Sequence, residues 1–214
     1  MSPTWKALSL FALPVIAVEM GDVSAVRDFF NARIRDQTDP KVRKQTSGLI
    51  THYHSGANVF EIYPELKAIG ARVEEAGTHV YREILNYKKS GPMRAKGAWF
   101  NVCDVGGVQP RHNHANCLLS GTLYLNADER TIIRFHSPSS VFATHAELHD
   151  QPDEAPNPHG FMFHYQHANV SVKNGDCLFW PPQMLHSYDD NKTPDRLTLS
   201  FNLLPEYLNS IYQL

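Results

Sequence analysis

Long apolar runs are missing from this 214-residue chain. No segment reaches the roughly 20 consecutive apolar residues that cross a bilayer, so no spanning helix is expected. An excess of either charge is missing too: 20 Lys and Arg against 22 Asp and Glu give a formal net charge of -2. No broad field then draws in nucleic acid or an acidic membrane surface, and neither is expected as a partner. Cysteine is scarce. Cys103, Cys117 and Cys177 are odd in number, scattered and without CxxC spacing. That pattern argues against a disulfide framework or a cysteine zinc site and favours a reducing, cytoplasmic setting. Internal repeats and low-complexity tracts are also lacking.

What the chain does have is histidine, 12 in all, and two kinds of periodicity. The apolar stretch from Ala7 to Val18 follows Lys6, contains Pro14 and lacks a small-residue cleavage site, so it reads as a first strand rather than a secretory signal. Asp22 is a candidate N-cap for a helix whose apolar positions, Val23, Val26, Phe29, Phe30 and Ile34, recur at three- and four-residue steps. Residues 37–63 are mixed and polar, with Gly48 and Gly56 breaking any long period, and are expected to be loop with short elements. Pro64 suits the first position of a second helix, with Leu66, Ile69, Val73, Ala76, Val80 and Ile84 as its buried stripe and Gly91-Pro92 ending it.

From Ala98 onward the period changes to alternation. Strands are expected at 98–104, 117–126, 131–136, 161–166, 169–172, 177–180, 185–188 and 196–203. Asn174-Gly175-Asp176 is expected to turn a tight hairpin. Eight short strands fit a double-sheet jelly roll. The fold class expected is therefore mainly β with N-terminal helices. One domain covers residues 1–214: a strand and helical support at 1–97, then a jelly-roll core at 98–214. Residues 137–168 hold a connection too long to be ordinary and are a candidate lid.

The last strand sorts Leu197, Leu199, Phe201 and Leu203 onto one face and Arg196, Thr198, Ser200 and Asn202 onto the other. On an ordinary sandwich the polar face would simply be wetted. Short uncharged residues beside a single arginine suit a pocket wall better than a solvated face, where Lys and Glu are usual. The same parity groups Ser120, Thr122 and Tyr124, and likewise Trp99, Asn101 and Cys103. Arg134 and His136 share a face of the third strand and are candidates for meeting an acidic group on a substrate.

His112-Asn113-His114 places two imidazoles on one side of an extended backbone. A third, His186, follows Pro181-Pro182 at the start of a later strand, where it could return to the same mouth. Neutral imidazole binds Fe, Zn, Ni or Cu, and three could occupy one face of an octahedron. In a histidine-rich chain an H-x-H spacing also arises by chance, so both readings stand at this point. Arg196 is the candidate holder of an anionic co-substrate. His145, His149, His159, His164 and His167 read as lid or surface residues.

Taken together, Trp99-Phe100-Asn101-Val102, His112-Asn113-His114, Leu119-Ser120-Gly121-Thr122-Leu123-Tyr124, Gly175-Asp176 through Pro181 to His186, and Arg196-Leu197-Thr198-Leu199-Ser200-Phe201-Asn202 resemble the bacterial and phage 2-oxoglutarate and iron(II)-dependent oxygenases. The resemblance covers most of the chain. It implies a double-stranded β-helix and an iron(II) centre with His112, His114 and His186 as ligands. It also implies a 2-oxoglutarate site at Arg196 with Thr198 or Ser200, with Asn101 and Tyr124 as secondary contacts and Asn202 on the same wall. One departure stands out: the wider superfamily usually has a carboxylate where His114 lies.

The implied activity is oxygen- and 2-oxoglutarate-dependent hydroxylation; the short candidate lid fits a small polar substrate better than a folded protein, and a homodimer is left open. A competing reading is a cupin-like three-histidine enzyme, a dioxygenase, isomerase or lyase, that does not use 2-oxoglutarate and gives Arg196 to the substrate's own carboxylate. A third is a binding module in which the histidines are coincidental.

Overall fold

The computed structural model describes residues 13–37, 42–45, 47–52, 58–137 and 167–207. After β1 (Ile16–Glu19) comes α1 (Ser24–Arg33), then β2 (Val42–Lys44), β3 (Leu49–His52) and the single turn α2 (Val59–Ile62). A 3-10 turn at Pro64–Leu66 leads into α3 (Lys67–His79), which closes in a π-helical turn at Val80–Ile84. The strands β4 (Met93–Cys103), β5 (Gln109–His112), β6 (Leu119–Asn126), β7 (Ile132–His136), β8 (His167–Ser171), β9 (Asp176–Trp180), β10 (His186–Tyr188) and β11 (Arg196–Pro205) complete the order.

All strand pairs are antiparallel and form two sheets. The larger sheet runs β1-β9-β6-β11-β4-β3-β2 and the smaller β5-β10-β7-β8. This is the double-stranded β-helix, mainly β with helices on one side. The helices cover the outer face of the larger sheet, where Phe30, Ile34, Leu66 and Val73 pack with Phe100, Leu199, Phe201 and Leu203 in one core. A second cluster, with Ile133, Phe135, Leu178, Trp180 and Met184, lies between the sheets. The opposite face of β11 therefore looks inward, which is why Arg196, Thr198 and Ser200 are buried although polar.

Several expectations meet corrections. The α1 helix begins at Ser24, and Asp22 serves it by accepting the Ser24 N–H at 2.9 Å. Residues 37–63 hold short elements as expected, and two of them, β2 and β3, extend the larger sheet. Ile84 is 49% exposed and Tyr81 is buried in its place. The π-helical turn, with Leu85 N–H bonded to the Val80 carbonyl, adds a residue to the turn and slips the phase of the stripe. The turn at Asn174-Gly175-Asp176 is tight, with Gly175 at φ 85°. It joins β8 of one sheet to β9 of the other, so it is a crossover and not a hairpin. The β5 strand went unexpected. The strand expected at 161–166 and nearly all of the candidate lid at 137–168 lie outside the described residues, as do residues 1–12 of the N-terminal stretch.

Two glycines let the layers approach. A Cβ on Gly77 of α3 would stand 2.3 Å from Leu203 Cδ1, and one on Gly121 of β6 would stand 2.4 Å from the Phe201 ring and 2.6 Å from the Leu178 carbonyl oxygen. Backbone cannot swing aside as a side chain can. Gly121→Ala should therefore lower unfolding free energy by about 1–3 kcal/mol, the usual cost of overpacking, read as a lower urea midpoint.

Candidate metal centre

The three histidines converge. His112 ends β5 and His186 opens β10, and the two are direct cross-strand partners. His114 lies just past β5, its N–H bonded to the Pro182 carbonyl at 3.0 Å, and the chain then turns at Asn116, φ 59°. Ring centroids are 4.2 Å apart for His112 and His186, 5.1 Å for His114 and His186, and 5.5 Å for His112 and His114. One ring nitrogen from each lies within 4.8 Å of the others. An ion bound at about 2.1 Å would draw them closer still.

The proton on each ring is fixed by its partner. His112 Nδ1 donates to the Pro110 carbonyl at 2.8 Å, His186 Nδ1 to the Met184 carbonyl at 3.1 Å, and His114 Nδ1 to Asn202 Oδ1 at 2.6 Å. Each partner is a carbonyl oxygen, which can only accept, so Nδ1 carries hydrogen and Nε2 holds the lone pair. That is the tautomer a metal needs, and such outer partners orient metal-binding imidazoles. Burial pushes the pKa of all three below the ordinary histidine value, against the opposing hydrogen bonds from Pro110, Asn202 and Met184; for His186 it falls to about 3. Trp180, fully buried, meets His186 edge-on at 4.9 Å and helps to keep water off it.

The histidines open on a cavity of about 430 Å³. Its floor is a polar chain across four strands. Thr51 Oγ1 donates to Asn101 Oδ1 at 2.9 Å, Asn101 Nδ2 donates to Ser200 Oγ at 3.1 Å, and Ser200 Oγ lies 2.9 Å from Thr122 Oγ1. Arg196, 4% exposed, donates from Nη1 to the Ile132 carbonyl at 2.9 Å and stacks 3.9 Å over the Tyr188 ring. Among the described residues no carboxylate pairs with it, and Arg196 Nε and Tyr124 Oη are buried without a hydrogen-bond partner. A buried cation with an unmet donor is costly unless an anion answers it. Burial raises the Tyr124 hydroxyl to about 12, with Arg196 opposing, so it is a neutral donor.

Of the residues singled out in the sequence, His112, His114, His186, Arg196, Thr198, Ser200, Asn101, Tyr124 and Asn202 all line this cavity. Two of them also brace the wall: Asn202 Oδ1 holds His114 and accepts from Ser120 Oγ at 3.3 Å, and Asn101 is engaged by Thr51 and Ser200. Arg134 and His136 are not among the residues that line this cavity. Ile133 and Phe135 take the inward face of β7, and alternation puts Arg134 and His136 outside, where Arg134 meets Asp189 and Asn169 and His136 Nε2 meets Ser187 Oγ at 2.8 Å. His167 stands beside His136 on β8, with ring centroids 6.2 Å apart, while His145, His149, His159 and His164 fall outside the described residues. Thr51, Gln109 and Tyr188 also line the cavity and were not singled out. Tyr188, two residues beyond His186 on a strand, was open to the same parity reasoning.

Comparison with known proteins bears on the family and the fold. The family model described as "Putative 2OG-Fe(II) oxygenase" matches residues 97–202, a span that holds all three histidines and Arg196. No curated protein sequence matches the chain. Among solved structures, the 2-oxoglutarate-dependent epimerase SnoN of nogalamycin biosynthesis has a TM-score of 0.60 at 14% identity, covering 90% of this chain and 78% of its own. HygX from Streptomyces hygroscopicus, solved with nickel and 2-oxoglutarate, gives 0.54 at 12%, covering 94% and 87%. A prolyl-4-hydroxylase from Pseudomonas putida gives 0.53 at 11%, covering 89% and 92%. At such identities these structures establish the fold. The class defined by fold and site is that of non-haem iron oxygenases. The β-helix of this chain belongs to the 2-oxoglutarate and iron(II)-dependent oxygenase family, whose metal and co-substrate are iron(II) and 2-oxoglutarate.

The histidine pKa values set a pH dependence. An unfolded histidine takes its proton near 6.5, whereas buried His186 resists protonation down to about 3. Between these values the unfolded state holds the extra proton, so the metal-free protein should lose stability as pH falls below 6.5. Denaturant midpoints measured from pH 7.5 to 5 should show the decline, and His186→Gln should make it shallower.

Proposed function

We propose that this chain is a single-domain hydroxylase in which His112, His114 and His186 hold iron(II) and Arg196 pairs with the distal carboxylate of 2-oxoglutarate. The observation that carries the reading is the pairing, in one cavity, of three Nε2 lone pairs with a buried arginine that no carboxylate among the described residues answers. Bound iron with 2-oxoglutarate supplies the oxidising chemistry: dioxygen is consumed, the keto acid is converted to succinate and carbon dioxide, and the substrate gains a hydroxyl.

The chain's own residues do the rest. Pro110, Met184 and Asn202 fix the three tautomers, so binding an ion displaces no proton from Nε2 at neutral pH. Arg196 offers its unpaired Nε and Tyr124 its hydroxyl to a carboxylate, and Thr198 lines the wall beside them. A charge-assisted bond there is strengthened by the low local dielectric. Trp180, Phe135 and Leu178 close the space between the sheets to water. All three ligands are neutral, and the described lining contains no carboxylate. The ion and Arg196 together therefore favour a dianion.

The substrate we infer is a small polar molecule; a small-molecule substrate fits an oxygenase, and SnoN and HygX, similar to this chain in fold, were solved with nogalamycin RO and hygromycin B bound. Three free, buried cysteines support the reducing, cytoplasmic setting, and among the described residues no helix is long and apolar enough to cross a membrane.

Anaerobic titration of the iron(II) form with 2-oxoglutarate tests the reading. The wild type should develop the visible charge-transfer band of a chelated keto acid. Arg196→Gln should keep stoichiometric iron and weaken 2-oxoglutarate binding by about 100-fold, the scale of one buried charge pair. An iron-loaded protein that shows no band and yields no succinate would return the function to the cupin-like alternative.

A further inference from the structure

One polar side chain in the cavity wall is still without a role. Gln109 opens β5, and its Nε2 lies 3.4 Å from His112 Nε2. Because His112 Nδ1 already donates to Pro110, His112 Nε2 is the lone-pair nitrogen and the Gln109 N–H must be the donor. Among the described residues this is the only hydrogen bond that the Gln109 side chain makes.

The contact is built into the backbone. Plain alternation would put Gln109 and His112, three residues apart, on opposite faces of β5. The pairing with β10 matches Tyr188 to Gln109 and His186 to His112, so three steps on β5 answer two on β10. The extra residue is a β-bulge, the usual device for re-aiming a side chain beside a site. It turns Gln109 into the cavity beside His112. Pro110, inside the bulge, has no N–H to leave unpaired.

One lone pair cannot serve both an amide and a metal. An ion in the three-histidine site takes His112 Nε2 and leaves the Gln109 N–H without its acceptor. An ion about 2.1 Å along that lone pair comes between the two groups, so the carboxamide has to turn aside while staying next to the ion's open positions. Resting on the metal centre described above, we propose that Gln109 is a metal-responsive positioning residue. Its carboxamide caps His112 in the metal-free protein and, once the ion is bound, donates to an anion or oxygen at the ion's open position. A carboxylate ligand in place of His114 would offer such a molecule a hydrogen-bond acceptor. Gln109 offers a donor, and so selects for ligands that carry negative charge or free lone pairs.

Cobalt(II) as the metal and azide as the anion test this without turnover, since visible absorption follows both. Gln109→Ala should bind cobalt as tightly as the wild type or a few-fold tighter, because a competitor for His112 is gone. Its azide affinity should fall about tenfold, the size of one hydrogen bond to an anion. Gln109→Glu should bind cobalt more tightly, shift its bands as a new carboxylate ligand enters, and exclude azide. Unchanged azide affinity in Gln109→Ala, or equal losses of cobalt and azide with an unchanged thermal midpoint, would overturn the proposal. Failure of the metal centre itself looks different: wild type without stoichiometric cobalt, or His186→Ala with undiminished cobalt, would overturn both.

Discussion

Every one of the three inward imidazoles has its Nδ1 proton bound to an oxygen that can only accept, and the rest of the site depends on that. Remove those acceptors and each ring could turn or change tautomer, and the Nε2 lone pairs would no longer meet. The acceptors come from separate parts of the chain. Pro110 and Met184 lie two residues before His112 and His186, so short local loops fix those rings. Asn202 comes from β11, 88 residues from His114, so that ring depends on the pairing of β11 with β6 and β4. Local geometry holds two ligands, and the long-range fold delivers the third.

The larger sheet separates stability from chemistry. One face of β11 is bound into the helical core through Leu199, Phe201 and Leu203, while the other carries Arg196, Thr198, Ser200 and Asn202 into the cavity. Buried polar groups are tolerated there because most are satisfied by one another, Thr51 through Asn101 and Ser200 to Thr122. The exceptions, Arg196 Nε and Tyr124 Oη, lie together on the wall assigned to the co-substrate carboxylate. Two unmet donors on one wall are a local destabilisation that a ligand bound there can relieve.

Much of this was legible in the alternation of residues 196–203 and in the two histidine positions, because side-chain parity in a strand survives whatever the register. What was hidden had physical causes. Gln109 was masked by a bulge, since parity fails where one strand has an extra residue. Thr51 lies on a four-residue strand too short to show a period. Arg134 and His136 were grouped correctly on one face, but which face looked inward depended on the apolar packing of Ile133 and Phe135 against Trp180 and their neighbours. Ile84 was lost to a π-helical turn that no residue type announces.

The replacement of a carboxylate by His114 is the central claim, and X-ray absorption of the anaerobic iron(II) protein tests it most directly. The structure leads to three imidazole scatterers per iron in the wild type and two in His114→Ala. Two imidazoles in the wild type, unchanged by that substitution, would show that His114 points at the metal without binding it and would contradict the account.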